Sequence, residues 1–294
     1  MIAVKLMGGL GNQMFQYAAA RAMAADRQCP VFLDRSFLET PSEGKWTQRY
    51  FELDVFNIQT SVPEDFSVRL LKRLNSNSRW NRISNSALWM LPYRNYYEAV
   101  QGFHSELLQF PQHVYLQGYF QSEQYFLRHE QLIRKEFTFK TAASGKNAEV
   151  LQQIRNSNAV SVHVRRGDYV SLPAAAEYHA LTGLPYYQRA VEILAAENSD
   201  MSFFVFSDDP EWCRQHLKLP GPTMIVDWNN GKASFEDLRL MSNCKHHIIA
   251  NSSFSWWGAW LNPSIEKKVI APQKWVNDPA QYNPDLLPAS WIKL

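Results

Sequence analysis

The sequence predicts an α/β protein of two lobes, and three observations carry that reading. At 294 residues the chain exceeds the length at which a single hydrophobic core usually stops growing. A short apolar run, residues 2–6, opens into Gly8-Gly9-Leu10-Gly11 and then into the helical spacing of Met14, Tyr17, Ala18, Ala22 and Ala25. In the second half, short apolar runs at residues 159–164, 203–206, 224–226, 247–250 and 268–271 alternate with helical stretches, the pattern of a parallel sheet covered on both faces.

Taken along the chain, the first run, the glycine loop and the helix are followed by Val31-Phe32-Leu33 and Asp34, which closes a β-α-β unit with a crossover helix and makes the first lobe Rossmann-like. Residues 45–94 give no regular pattern beyond one helix near 64–74 and an Asn/Ser-rich loop at 75–86. A strand is expected at 114–120 and a helix at 122–137, with Ser122 placed to cap it. The polar stretch 140–146 marks the boundary between a first lobe, 1–145, and a second, Rossmann-like lobe, 146–294. In parallel sheets ligands bind beyond the carboxyl ends of the strands. The residues that end the second lobe's runs are therefore the candidates: Arg165-Arg166-Gly167-Asp168, Ser207-Asp208-Asp209, Asp227, Asn251-Ser252-Ser253 and Pro272.

Composition narrows the function classes. Lys and Arg number 30 against 28 Asp and Glu, a net charge of +2, so bulk electrostatics point to no nucleic-acid partner. The three cysteines, Cys29, Cys213 and Cys244, are too dispersed for a disulfide framework or a zinc knuckle and suit a reducing, cytoplasmic setting. The amino terminus lacks the apolar region of a signal peptide, and no run is long enough for a membrane span. Peripheral contact with the inner face of a membrane through the aromatic and basic residues of 69–82 is a lesser expectation.

His163-Val164-Arg165-Arg166-Gly167-Asp168-Tyr169 is the strongest local signal, because strand alternation puts His163 and Arg165 on one face and a guanidinium fork matches phosphate oxygens. A bracing ion pair of Arg166 with Asp168 is the competing reading. Asn251-Ser252-Ser253-Phe254-Ser255-Trp256-Trp257 reads as a helix N-terminus, where unpaired N–H groups and two serine hydroxyls make an anion site; simple capping is the alternative, and the tryptophans read as core. Asn12 and Gln13 follow the glycines and suit sugar hydroxyls or diphosphate oxygens, or else a capping Asn12 with a solvent-facing Gln13. Of Asp208 and Asp209, one reads as a helix cap, while the other, or Asp227, could accept from a ribose or a base edge. His246-His247 reads as a packed or solvated pair, and no metal-ligand spacing occurs, so metal-independent chemistry is expected.

The segments Gly8 through Tyr17, His163 through Tyr169, Phe206-Ser207-Asp208-Asp209 and Asn251 through Trp257 together resemble the bacterial α-1,2-fucosyltransferases of glycosyltransferase family 11 over nearly the whole chain. The resemblance implies a GT-B arrangement with GDP-L-fucose in a cleft between the lobes, held mainly by the second. It also implies Arg165 on the diphosphate, His163 near the nucleotide and Asn12 reaching the donor from the first lobe, which faces the acceptor. The expected donor set is Gly11, Asn12, Gln13, His163, Arg165, Arg166, Asp208, Asp209, Asn251, Ser252, Ser253 and Phe254, with Arg165 and Asp168 catalytic and no cofactor or metal. The implied reaction is inverting transfer of fucose from GDP-β-L-fucose to the 2-hydroxyl of a terminal β-galactoside, with O-antigen repeat units or lipid-linked glycans as acceptor classes. Asp168, with Glu177 further along the same loop, is the candidate general base, an ion pair with Arg165 or Arg166 being the structural alternative. Transfer of another GDP-sugar or to another hydroxyl, and a non-catalytic carbohydrate-binding protein, are the rival readings.

Overall fold

The computed structural model describes residues 1–42, 47–61, 93–110, 113–167, 180 and 182–294. It divides into two compact units, Met1–Thr138 with Asn283–Leu286, and Phe139–Tyr282 with Leu287–Leu294. The polar stretch 140–146 thus lies in the second unit, and its last two residues open a helix. The expected helix near 64–74, the loop 75–86 and the basic stretch 69–82 all lie outside the described residues.

In unit 1 the expected β-α-β is present as β1 (Ile2–Lys5), α1 (Leu10–Asp26) and β2 (Val31–Asp34), with β1 and β2 parallel and Ile2 opposite Val31. Five alanines of α1 (Ala18, Ala19, Ala20, Ala22 and Ala24) are buried, so small side chains let a helix that is covered on nearly every face pack closely. A four-residue helix, α2 (Ser36–Glu39), follows, and then β3 (Tyr93–Tyr97) and β4 (His113–Gln117) complete a parallel sheet ordered β2-β1-β4-β3. The strand expected over 114–120 stops at Gln117, because Gly118 gives its carbonyl to Gln16 Nε2 and Phe120 adopts a left-handed φ of 52°. The helix expected over 122–137 is broken into two 3-10 turns before α3 (Glu130–Glu136). Tyr125 and Phe126 are both fully buried, and seating them leaves Phe126 in a non-helical conformation; Ser122 caps the first turn through Gln124 N.

Unit 2 begins with α4 (Gly145–Arg155) and β5 (Asn158–Val164), continues through α5 (Leu184–Ala195), β6 (Met201–Ser207), α6 (Pro210–His216), β7 (Thr223–Val226), α7 (Phe235–Asn243), β8 (His246–Ile248) and α8 (Ser253–Leu261), and ends with β9 (Val269–Ala271) and β10 (Ile292–Lys293). All five apolar runs form strands, joined by β10 in one parallel sheet ordered β10-β9-β8-β5-β6-β7. The central strand β5 sends Val160, Val162 and Val164 into one core with Tyr187 and Leu194, and Ala159 into the other with Phe204 and Leu240. Burial on both faces is why these strands read as continuous apolar runs. From β5 the chain builds outward through β6 and β7, then returns with β8 to the other flank of β5. This reversal is a topological switch point, the place in a parallel sheet where ligands bind.

Candidate active site

The loop after β5 is organised by a carboxylate from the neighbouring strand. Because Val164 lies opposite Ser207 in the β5–β6 register, Asp208 emerges beside Arg165. It pairs with Arg165 Nη1 at 3.0 Å and accepts the Arg166 backbone N–H at 2.8 Å. Arg166 turns away, its Nε 3.4 Å from Asp209 and its guanidinium over the Trp212 ring at 4.1 Å, while Asp209 caps α6 through Trp212 N. The aspartates therefore brace the arginines. Asp227 is likewise engaged, in an ion pair with Arg214. Asp168 and Glu177 lie outside the described residues. A Cβ on Gly167 would stand 2.6 Å from Asp208 Oδ2, on a carboxylate already pinned from two sides. Gly167→Ala should displace the Arg165 loop and cut turnover roughly 100-fold, measured with a circular-dichroism melt to show that the fold survives.

His163, one residue before the end of β5, is 6% exposed, and its Nδ1 has no hydrogen-bond partner among the described residues. Burial, helped by the Arg165 charge, pushes its pKa down to about 3, so the imidazole is neutral at any working pH. Its ring lies 6.1 Å from that of Phe254, on the first turn of α8. There Ser252 adopts the extended N-cap conformation, yet its hydroxyl makes no capping bond and the first turn holds no acidic residue. The positive end of α8 thus meets neither a capping hydroxyl nor a first-turn carboxylate beside the unpartnered edge of His163. Asn251 is 1% exposed, and its Nδ2 donates to the carbonyls of Ala180 at 2.6 Å and Trp275 at 2.8 Å, so it ties loops together. Trp256 and Trp257 are buried against Trp260 and Trp291 as core. His247 is also core, between Ser161 and Asn262. No group of potential metal ligands occurs among the described residues.

Two tyrosines escaped the sequence reading. Tyr187 donates to the His163 carbonyl at 3.1 Å, and Tyr186 to those of Ile249 and Ile270, so α5 staples the ends of β5, β8 and β9. Their signal was a pair of tyrosines directly after Pro185, in the first turn of the helix.

In unit 1, Gly8 turns with φ 75° into α1. Gln13 is fully buried rather than solvent-facing: its Nε2 donates to the carbonyls of Gly8 and Tyr50, and its Oε1 accepts from Glu52 N. Asn12 does not cap α1 either, since its Oδ1 accepts from Gln121 Nε2 at 2.9 Å. Gly11 is buried within the helix. The Glu52 carboxylate, raised in pKa by burial despite Arg49 beside it, accepts the Leu10 N–H and so occupies the positive end of α1. Of the expected donor set, unit 2 gathers His163, Arg165, Ser252, Ser253 and Phe254 at its switch point, while Gly11, Asn12 and Gln13 belong to unit 1.

The model of the family described as glycosyl transferase family 11 matches residues 1–294. The chain belongs to glycosyl transferase family 11. Among relatives of this family-11 chain, an α-1,2-colitosyltransferase of Escherichia coli is 34% identical over 100% of this chain and 98% of its own. The O-antigen biosynthesis glycosyltransferase WbnK of Escherichia coli is 33% identical over 98% and 99%, and galactoside α-(1,2)-fucosyltransferase 2 of Oryctolagus cuniculus 25% over 89% and 67%. Two solved structures share the fold, which is GT-B-like. Fucosyltransferase NodZ from Bradyrhizobium matches at TM-score 0.50, 15% identity and 89% and 93% coverage of the two chains. A variant of Arabidopsis thaliana FUT1 in complex with GDP matches at TM-score 0.51, 9% identity and 95% and 71% coverage. No helix among the described residues is long and apolar enough to cross a membrane.

One more carboxyl of this family-11 glycosyltransferase stands near the carboxyl edge of unit 2. Asp237, in the first turn of α7, accepts from Asn229 Nδ2 at 2.8 Å within a network that includes Asn147 and the Trp228 indole. Burial raises its pKa from 3.8 to about 7. The folded state therefore keeps a proton that the unfolded chain releases, and stability falls as pH rises through that window. Asp237→Asn should gain Tm relative to the parent as pH goes from about 5 to about 8. The falling pKa values of His163 and His247 act in the opposite sense but are common to both proteins and cancel in the difference.

Proposed function

We propose that this protein is an inverting, metal-independent transferase that moves L-fucose from GDP-β-L-fucose to the 2-hydroxyl of a terminal β-galactoside, forming an α-1,2 linkage. The observation that carries the reading is the switch point of unit 2, where Arg165, anchored by Asp208, and the α8 N-terminus flank a neutral, buried His163. As the bond from C1 to the phosphate oxygen breaks, its electron pair stays on the β-phosphate. Arg165, the first N–H groups of α8 and the Ser252 and Ser253 hydroxyls receive that charge. His163 adds a hydrogen-bonding edge without adding charge. Asp208, Asp209, Asp227 and Asp237 all have partners of their own among the described residues. The acceptor hydroxyl attacks C1 from the opposite face, and its proton passes to Asp168 or Glu177.

Family membership and the α-1,2 linkage in the names of two relatives support this reading. A second reading rests on the colitosyltransferase, matched along the full chain. Its sugar is the 3-deoxy counterpart of L-fucose, so the two donors differ by one hydroxyl. The relative named for O-antigen biosynthesis supports a polysaccharide repeat unit, free or lipid-linked, as acceptor. The test mixes purified protein with GDP-fucose or GDP-colitose and a panel of β-galactosides, with and without EDTA, and reads the product by linkage analysis. An α-1,2-linked fucoside formed equally in EDTA is expected. A colitoside alone moves the donor to the second reading, loss in EDTA removes metal independence, and absence of GDP binding removes the phosphate site.

A further inference from the structure

We propose that Lys267 is a positioning residue of the phosphate site: its ammonium holds the carboxyl end of α8 and thereby sets the amino end that faces the diphosphate. The ligand is taken from the transferase reading above, and the residue touches no substrate. The two ends of α8 stand about 13 Å apart and are treated in opposite ways. At the amino end the Ser252 hydroxyl makes no capping bond and the first turn holds no acidic residue. At the carboxyl end Lys267 Nζ donates to the carbonyls of Ala259 at 2.9 Å and Asn262 at 2.6 Å, with that of Trp260 at 3.4 Å. The last carbonyls of a helix lack partners within it, and a cation there also meets the negative end of the dipole. The last turn of α8 has no basic residue of its own, so this cation is brought back from beyond the helix.

The sequence after α8 is built for that return. Pro263 cannot continue the helix, and Asn262 Oδ1 accepts from Ser264 N at 2.9 Å while Ser264 Oγ accepts from Glu266 N at 3.2 Å, so the chain turns back on itself. The other side of the Asn262 amide fastens the same helix end to the sheet. Its Nδ2 donates to the Cys244 carbonyl at 2.8 Å and to His247 Nε2 at 2.9 Å, which leaves the His247 proton on Nδ1, 2.8 Å from Ser161 Oγ on β5. Ser161, His247 and Asn262 are all buried, and burial keeps His247 neutral. The carboxyl end of α8 is thus pinned to β5 and β8 by an uncharged network and closed by one charge, that of Lys267.

The neighbouring lysine supplies the comparison. Lys268 carries the same charge one residue on, but its ammonium pairs with Glu197 and not with the helix. A general gain from positive charge in this part of unit 2 would make the two lysines equivalent. Positioning through α8 makes only Lys267 matter, and only for the part of a ligand that carries phosphate.

The experiment measures dissociation constants for GDP and for guanosine by calorimetry in the parent, Lys267→Met and Lys268→Met. Lys267→Met is expected to weaken GDP binding by about 3- to 10-fold and to leave guanosine within about twofold of the parent, while Lys268→Met binds both as the parent does. Unchanged GDP affinity in Lys267→Met, an equal loss for guanosine, or an equal loss in Lys268→Met overturns the proposal. Should Lys267→Met fail to fold, Lys267→Gln takes its place under the same criteria. If the parent binds no GDP, the phosphate-site reading fails separately, and the backbone amide resonances of Ser253 and Phe254 in the free protein decide the positioning. Shifts in Lys267→Met that Lys268→Met lacks support it; resonances that stay in place, or move equally in both variants, overturn it.

Discussion

Arg165→Ala should lower transferase turnover by roughly 100- to 1,000-fold while the protein stays folded. The magnitude follows from what the guanidinium faces. A preorganised donor aimed at charge that appears only in the transition state is worth about 2.7–4 kcal/mol, because the site has already paid its reorganisation. Preorganisation is visible here: Asp208 holds Nη1 at 3.0 Å, and the side chain is 24% exposed, so the charge neither swings freely nor is fully hydrated. The Arg165→Lys variant keeps a positive charge but not the planar fork, and should recover less than half of the lost barrier, on the order of 1 kcal/mol. The measurement is steady-state turnover at saturating GDP-sugar, paired with GDP titration. Near-normal turnover in Arg165→Ala would remove this residue from the chemistry and shift the leaving-group charge to α8 alone.

How much of this was legible in the sequence depends on whether the information was local. The strands of unit 2 were legible because β5, β6, β8 and β9 are buried on both faces and mostly lie within apolar runs, and the glycine loop into α1 was legible because a left-handed Gly8 and a 3.6-residue period are adjacent signals. The tryptophans of α8 read correctly as core, since bulk and helical spacing suffice. What failed depended on neighbours distant in sequence. The part played by Asp208 and Asp209 had no local signal, because the parallel register brings them to the arginines from β6. The helix expected over 122–137 had adequate propensity, but burying Tyr125 and Phe126 outweighed it. The carbonyls that engage Gln13 and Asn251 were not legible either, because they come from residues distant in sequence and only the fold reveals them. Glu52 at the start of α1, more than 40 residues along the chain, had no local signal at all.

Asp208→Ala should cost roughly 10- to 100-fold in turnover although Asp208 touches no substrate in this scheme. Its carboxylate does two things at once: Oδ2 fixes the Arg165 guanidinium, and Oδ1 accepts the Arg166 N–H that sets the path of the loop after β5. Truncation leaves Arg165 charged but without the Asp208 brace, so the transition state loses orientation rather than charge, and the loss falls short of that in Arg165→Ala. Asp208→Asn separates the two effects, since its carbonyl still accepts from Arg166 N while its amide cannot pair with the guanidinium; it should fall between the parent and Asp208→Ala. The deciding measurement is the double-mutant cycle. If Asp208 acts through Arg165, adding Asp208→Ala to Arg165→Ala changes turnover by less than about threefold, because the group being positioned is already gone. If the two losses multiply instead, Asp208 has a role independent of the arginine, and a carboxylate in direct contact with substrate would replace the bracing one.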